Sequence, residues 1–160
     1  MLTQQEISDH IEITQLLQRY FRALDGKDYE LLDTVFLPDA VLHYELGQGV
    51  PVPYPEMVKA FRDFNERFSF TQHIIGQPSI EIDGDTARST ANLRALHVQV
   101  KLDGQNVTWL VYGFYRDVHM RTAEGWRIKE RYFKGIHVEG ELLQPDQVKR
   151  FPKAPLEPSP

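Results

Sequence analysis

The second half of the chain carries the hydrophobic period of a β-strand. From about residue 72 to residue 138, apolar and polar residues alternate with a period of two. Three short turns interrupt this pattern, at Asp83-Gly84-Asp85, Asp103-Gly104 and Glu124-Gly125. Such glycine turns are typical of β-hairpins. We therefore predict four consecutive strands joined as a meander, at residues 72–82, 86–102, 105–119 and 126–138.

The first half of the chain shows helical periods instead. A helix is predicted from about Thr3 to Leu24, with Gly26 as its stop. A short amphipathic piece (29–36), a strand (40–46), a loop rich in Gly and Pro (47–55) and a second helix (56–68) follow. The apolar arc of the first helix comprises Ile7, Ile11, Ile13, Leu17, Tyr20, Phe21 and Leu24.

This order of elements indicates an α+β fold, with helices on one face of a curved antiparallel sheet. At 160 residues the chain has room for one domain of ordinary size, which we place at residues 1–143. Residues 144–160 form a tail with five prolines, which we expect to wrap a neighbour or to fray.

Composition excludes several classes of function. The net charge of −5 argues against a nucleic-acid-binding surface, and no apolar run approaches the length of a membrane span. The absence of cysteine removes disulfides and thiolate chemistry. The first residues also lack the pattern of a signal peptide, so we expect a cytoplasmic protein with neither nucleic-acid nor membrane partners.

Known catalytic and cofactor-binding motifs do not occur in the sequence. Gly47-Gln48-Gly49 is not the loop of a dinucleotide site, and the sequence has neither a nucleophile elbow nor a His-Glu-x-x-His motif. The six histidines do not show close metal-ligand spacing, so we predict no metal site, although ligands from separate strands stay possible.

Asp25 is the first candidate for chemistry. A carboxylate in the last turn of a helix opposes the helix dipole, at a cost of about 0.3–1 kcal/mol. A solvated Asp-Gly turn is the simpler interpretation, but broken local rules are common at functional sites. Tyr20 lies five residues earlier, about 140° around the helix, and could share a site with Asp25 only if Asp25 lies where the helix unwinds.

Two histidines fall in predicted strands. His73 opens one strand, where a buried imidazole needs a partner for its ring N–H. His97 lies in the middle of the next strand and by alternation shares a face with Leu93, Ala95 and Gln99. A satisfied core histidine is the alternative interpretation for both.

Several further residues are candidates for the wall of a pocket or for the core. Arg131 has a parity opposite to that of Trp126 and Ile128, so it reaches their face only through a β-bulge, and otherwise it is a solvated arginine. The aromatic candidates for substrate contact are Tyr44, Tyr54, Trp109, Tyr112 and Tyr115.

Five pieces of the chain, in order, resemble the SnoaL-like proteins of the nuclear transport factor two-like superfamily. The first is the run Arg19-Tyr20-Phe21-Arg22-Ala23-Leu24-Asp25-Gly26-Lys27-Asp28. The others are Phe36-Leu37-Pro38-Asp39-Ala40, Thr71-Gln72-His73-Ile74, Gly84-Asp85-Thr86-Ala87 and Gly125-Trp126-Arg127-Ile128. The resemblance covers about residues 5–138.

The resemblance implies a cone-shaped α+β barrel, in which a strongly curved mixed or antiparallel sheet and helices on its concave side enclose one deep apolar pocket. Relatives such as scytalone dehydratase, the bile-acid dehydratase and the hexachlorocyclohexane dehydrochlorinase use an Asp–His dyad without a cofactor. Many form trimers, and dimers also occur, so we expect a homo-oligomer.

Matched position by position, the resemblance assigns Asp25 and His73 to the dyad and Tyr20 to a pocket tyrosine. His97 falls near a third polar pocket position, where it could protonate a leaving hydroxyl. Arg131 matches an arginine that follows the Trp-x-Ile strand start.

The resulting hypothesis is a dehydratase-like lyase that acts on a small hydrophobic cyclic or polycyclic substrate. An isomerase or cyclase would use the same base without expelling a leaving group. A small-molecule binding protein or accessory subunit is the third possibility, because the fold does not fix the function.

Overall fold

The computed structural model describes residues 1–44 and 50–153 of the chain. Within these ranges, turns of 3₁₀ helix at Glu30–Thr34 and Pro145–Gln147 accompany the helices and strands. The helices are α1 (Gln4–Asp25) and α2 (Tyr54–Asn65), and the strands are β1 (Phe36–Tyr44), β2 (Pro51–Pro53), β3 (Phe70–Ile75), β4 (Ser79–Asp83), β5 (Thr86–Val100), β6 (Asn106–Thr122) and β7 (Gly125–Gly140).

The strands form one curved, mixed sheet that does not close on itself. Its order is β2-β1-β7-β6-β5-β3, and β4 also pairs with β5. β1 runs parallel to β7, whereas the other pairs are antiparallel. The helices pack on the concave face, here called the inner face. The predicted α+β cone is therefore confirmed.

The long meander follows the predicted turns. β5 pairs with β6 from Thr86 opposite Met120 to Val100 opposite Asn106. Gly84, Gly104 and Gly125 all adopt positive φ angles, of 59°, 97° and 100°. Only glycine adopts this conformation without a steric cost, which explains why the turns fall at these positions.

Several boundaries differ from the prediction, and β1 begins at Phe36 rather than at residue 40. The predicted strand 72–82 is two strands in line, β3 and β4, because Gly76-Gln77-Pro78 interrupts the pairing with β5. In the loop predicted at 47–55, Pro51–Pro53 pairs with β1 and α2 already begins at Tyr54. Residues 47–49 of that loop and residues 45–46 of the predicted strand lie outside the described ranges.

The C-terminal segment after β7 lies against the domain as far as Phe151. The amide of Gln99, fully buried on β5, exchanges two hydrogen bonds with the backbone of Leu143. Lys101 forms a β-bridge with Val148, and Nζ of Lys27 donates to the carbonyl oxygen of Phe151. The tail boundary at residue 143 stays a prediction. In the described part of the chain, no helix is both long and apolar enough to cross a membrane.

The first two turns of α1 are held by a charged contact rather than by burial of Ile7 and Ile11. Ile7 and Ile11, expected in the apolar arc, are 49% and 53% exposed, so that part of the prediction is wrong. Asp9 is buried instead, and its two carboxylate oxygens each accept a hydrogen bond of 2.7 Å from Arg121. Trp126 Nε1 donates to the same carboxylate at 3.1 Å. These bonds join the start of α1 to the β6–β7 hairpin.

The Asp9 ion pair should make stability dependent on pH. The hydrogen bonds from Arg121 hold the pKa of Asp9 well below its ordinary value of 3.8. A depressed pKa in the folded state adds stability above pH 3.8 that is lost as the pH falls further.

We therefore expect Asp9→Asn to lower the free energy of unfolding, measured in urea at pH 7, by about 2 kcal/mol. Below pH 4 its free energy of unfolding should differ less from that of the wild type. Asp85→Asn removes the exposed second partner of Arg121 and should have little effect. Equal losses in the two variants would contradict this account.

Candidate active site

Asp25 is the last residue of α1, at the point where the helix unwinds. The helix ends in a Schellman motif, in which the backbone N–H groups of Lys27 and Asp28 donate back to the carbonyls of Leu24 and Ala23. The left-handed position of this motif, usually glycine, is occupied by Lys27 with a φ of 52°. Nζ of Lys27 donates to the carbonyl oxygens of Phe68 and Phe151, and these bonds hold the strained residue in place.

Strand β3 surrounds the Asp25 carboxylate with three donors. The Nδ1 atom of His73 lies 2.6 Å from Oδ1, and the backbone N–H of His73 donates to Oδ2 at 2.9 Å. The hydroxyl of Thr71 donates to Oδ1 at 2.8 Å. The side chains of His73 and Asp25 are 7% and 26% exposed. The structure thus brings together the two residues of the predicted dyad.

The pairing determines which nitrogen of His73 is free. A carboxylate only accepts hydrogen bonds, so Nδ1 carries the proton of this bond. In the neutral ring, Nε2 is then the unprotonated nitrogen and can accept a proton. Asp25 would stabilise the imidazolium that results, which is the role of the aspartate in a catalytic triad.

His97 lies beside the dyad on the inner face. Its ring meets the His73 ring edge-on, with centroids 5.4 Å apart, and packs against Phe68 and Trp109. Burial, and secondly the neighbouring His73, lowers the pKa of His97 to about 3. His97 also shares its face with Leu93, Ala95 and Gln99, as predicted.

The geometry does not favour the acid role expected for His97. Its Nδ1 lies 3.3 Å from the carbonyl oxygen of Trp109, so Nδ1 carries the proton of the neutral ring. Nε2 is then an acceptor, and a ring with a pKa of about 3 has no second proton to donate near pH 7. His97 can orient a donor group but does not supply an acid.

A second polar group consists of three tyrosines, of which Tyr20 and Tyr115 are buried and Tyr44 is partly buried. The hydroxyl oxygens of Tyr20 and Tyr44 are 2.6 Å apart, and the ring of Tyr115 packs against both. Burial raises the pKa of each of the three tyrosines above its ordinary value. All three hydroxyls are therefore protonated at neutral pH and able to donate.

Arg131 reaches the inner face because β7 contains a bulge. Pairing with β6 shifts by one residue at Lys129, and this restores Arg131 to the face of Trp126 and Ile128. The β-bulge that Arg131 needs in order to face inward is thus present in β7. Arg131 is fully buried and forms two hydrogen bonds with Asp117, at 2.8 and 2.7 Å.

The charge of Arg131 lies against the tyrosines. Its guanidinium carbon is 4.1 Å from the ring centroid of Tyr20 and 4.3 Å from that of Tyr115. Burial disfavours the charge, but the Asp117 carboxylate holds the pKa of Arg131 well above its usual value. Among the described residues, its Nη1 has no hydrogen-bond partner.

Phe21 connects the two polar groups. Its ring stacks on the His73 ring, with centroids 5.4 Å apart, and meets Tyr20 and Tyr115 at 5.1 and 5.8 Å. The dyad and the group formed by Tyr20, Tyr44, Tyr115 and Arg131, here called the tyrosine–arginine group, therefore border the same aromatic cluster.

One predicted substrate contact, Tyr112, lies elsewhere. Tyr112 faces the opposite side of the sheet, because alternation along β6 places Trp109 and Tyr115 on the inner face and Tyr112 on the outer one. Its ring packs against Arg94 and His137 there, so its assignment to the pocket is wrong. Tyr54 stacks on Phe36, whose ring in turn contacts Tyr20, and its hydroxyl donates to Asp33.

Sequence reasoning missed Thr71 and Asp117. Thr71 shares the parity of His73 two residues later, which was a readable signal. Asp117 could be assigned to Arg131 only after the bulge was known. Across the described ranges, no three His, Asp or Glu side chains are grouped to hold a metal ion.

Comparison with known proteins gives a family match over most of the chain. The SnoaL-like domain family matches residues 5–132. An uncharacterized protein of Mycobacterium tuberculosis is 34% identical over 131 residues, which are 82% of this chain and 88% of that protein. A crystal structure of a Kribbella flavida protein is 33% identical, with a TM-score of 0.75 over 83% of this chain and 94% of that one.

More distant structures share the fold. A Novosphingobium aromaticivorans protein, assigned by its name to the scytalone dehydratases, is 17% identical, with a TM-score of 0.77 over 92% of this chain and 96% of its own. A nuclear transport factor 2-like superfamily protein of Salmonella enterica is 22% identical (TM-score 0.70; 82% and 93% covered). The hexachlorocyclohexane dehydrochlorinase LinA-type3 of Novosphingobium barchaimii is 15% identical (TM-score 0.70; 87% and 97% covered).

The buried histidines should lower stability in mild acid. Burial also lowers the pKa of His119, whose Nε2 pairs with the Ser89 hydroxyl, to about 4. Between pH 7 and pH 5 the unfolded chain gains protons on His97 and His119 that the folded chain does not. The free energy of unfolding should therefore fall by about 2 kcal/mol for each of these two histidines.

NMR titration of the ring protons measures this directly. We expect the signals of His97 and His119 to stay those of a neutral ring down to pH 5. In the matched variant His97→Phe, the free energy of unfolding should fall less between pH 7 and pH 5 than it does in the wild type. Titration of His97 near pH 6.5 would contradict the buried, neutral site.

Proposed function

The chain belongs to the SnoaL-like family, and from that premise we propose that it is a lyase of the dehydratase type. Its substrate would be a small hydrophobic cyclic or polycyclic molecule. The observation that carries the proposal is the 2.6 Å contact between His73 Nδ1 and Asp25 Oδ1. Named dehydratase and dehydrochlorinase proteins among the fold neighbours support this class of reaction.

His73 is proposed as the base. Its free Nε2 removes a proton from a carbon next to a carbonyl group, and Asp25 stabilises the imidazolium. A positioned general base contributes about 10²–10⁴ in rate. Phe21 stacks on the His73 ring and covers one face of it, and such less polar surroundings strengthen the charge interaction.

The tyrosine–arginine group is proposed to bind the carbonyl oxygen. The hydroxyls of Tyr20 and Tyr44 share one hydrogen bond, which uses one of their two protons and leaves the other to donate. Nη1 of Arg131 is a further buried donor without a partner in the described residues. Donors directed at an oxygen that gains negative charge stabilise the transition state.

The elimination balances with these groups alone. The electrons of the broken C–H bond form the new double bond, and those of the C–O bond leave with the hydroxyl oxygen. The His73 imidazolium formed in the first step returns its proton to that oxygen, which departs as water. This assignment replaces His97 as the acid, because the one ring proton of neutral His97 lies on Nδ1, toward the carbonyl oxygen of Trp109, and its Nε2 has none to give.

An isomerase is the second candidate, because a single base beside an oxygen-binding group is sufficient for it. A reaction that returns the proton to another carbon needs one base and no separate acid. The same dyad would catalyse it, with a product of unchanged mass.

Incubation with cyclic β-hydroxy ketones in D₂O, followed by mass spectrometry, tests both candidates. A lyase yields a product lighter by one water, whereas an isomerase yields one that has only gained deuterium. His73→Gln should lower the rate about 10²–10⁴-fold and Asp25→Asn about 10²-fold.

The control His137→Gln changes a histidine that is 65% exposed and should leave the rate unchanged. Binding of these ketones without loss of water or deuterium incorporation would instead identify a binding protein. Full activity in His73→Gln would contradict the dyad.

A further inference from the structure

The hydroxyl of Thr71 has no assigned role in the proposed reaction, yet it touches the centre of the dyad. Thr71 lies on the inner face of β3, two residues before His73 and opposite His97 on β5. It is buried, with 5% of its surface exposed. Its Oγ1 donates to Oδ1 of Asp25 at 2.8 Å, the same oxygen that pairs with Nδ1 of His73.

Asp25 needs such a support because of its position. The carboxylate lies at the C-terminal end of α1, where the helix dipole repels negative charge. Its side chain is 26% exposed, so water competes with His73 for its oxygens. The backbone N–H of His73 holds Oδ2, so besides the Nδ1 bond that is to be oriented, the Thr71 hydroxyl is what β3 supplies to hold Oδ1.

We propose that Thr71 is a positioning residue that fixes the rotation of the Asp25 carboxylate toward His73. Its hydroxyl and the backbone N–H of His73 hold one oxygen each, and two anchored oxygens define the carboxylate plane. The plane places Oδ1 in line with Nδ1. The inference rests on the proposed function, since it assigns Thr71 to support the base of that reaction.

The geometry distinguishes this role from simple strand packing. A threonine that only packed in β3 could direct its hydroxyl to a backbone carbonyl, as Ser69 does toward Val98 at 3.2 Å. The Thr71 hydroxyl instead donates to the carboxylate, at a shorter distance. Ser69 is thus a matched control, being a neighbouring hydroxyl near the same pair of strands that does not bond to Asp25.

The test compares Thr71→Val with Thr71→Ser and Ser69→Ala in the resting protein. The readout is the NMR signal of the proton on His73 Nδ1. Without the Thr71 hydroxyl the carboxylate turns toward water and the Nδ1–H···Oδ1 bond lengthens. In Thr71→Val we therefore expect the signal to move upfield and to exchange faster with water. In Thr71→Ser and Ser69→Ala it should keep its wild-type position.

Thr71→Ala provides a second variant without the hydroxyl, should valine disturb the fold, and the same upfield movement is expected for it. An unchanged or downfield signal in the variants that lack the hydroxyl would overturn the proposal. So would an equal movement in Thr71→Ser, which keeps the hydroxyl.

Kinetics give an independent readout once a substrate is in hand. Thr71 acts through Asp25, so Thr71→Val should lower kcat about tenfold and leave KM within about twofold, and Thr71→Ser should restore kcat. Failure of the two hypotheses is distinguishable. If the wild type shows no Nδ1 proton bonded to Asp25, the dyad itself fails. If the wild type shows that proton and Thr71→Val gives the same Nδ1 proton signal, only the role of Thr71 fails.

Discussion

The bond between the Asp25 carboxylate and His73 fixes where the C-terminal end of α1 meets strand β3. It joins the last residue of α1 to His73, the fourth residue of β3, and it places a charge where a helix end disfavours one. The cost is offset by three donors from two residues of β3. The unwinding of α1 at Lys27 then follows from the need to present this carboxylate inward.

A second buried charge organises the other end of the aromatic cluster. Arg131 and Asp117 are both fully or almost fully buried, and removal of either would leave an uncompensated charge. The bulge at Lys129 exists at the position that turns Arg131 inward, beneath the rings of Tyr20 and Tyr115. The aromatic interior thus has Nε2 of His73 at one end and the donors of the tyrosine–arginine group at the other. Phe21 contacts both. Such a division suits the removal of a proton from carbon beside a polarised oxygen.

The sequence predicts this fold well because its signals are local. Alternation and the turns at Gly84, Gly104 and Gly125 determine the meander, and the resemblance motif carries Asp25 and His73. Prediction failed where tertiary contacts override a local period. Ile7 and Ile11 fit an apolar arc, but the partner available to the start of α1 is Arg121, which selects Asp9 for burial.

Other misses have the same origin. The face of Tyr112 followed from simple alternation along β6, and placing it with Tyr115 ignored that rule. The pairing of Arg131 with Asp117 depends on a bulge that no residue pattern announces. The protonation of His97 depends on its burial among Phe68, Trp109 and His73, which is known only from the packed interior.

Whether the Asp25 carboxylate holds the His73 ring can be measured in the ¹⁵N NMR spectrum of that ring, in the wild type and in Asp25→Asn. The account predicts a proton on Nδ1 in the wild type, bonded to the carboxylate and protected from exchange with water. In Asp25→Asn the bond to a neutral amide is weaker, so the preference for Nδ1 should fall and exchange should become faster. A wild-type ring with its proton on Nε2 alone, or a spectrum unaffected by Asp25→Asn, would contradict the dyad.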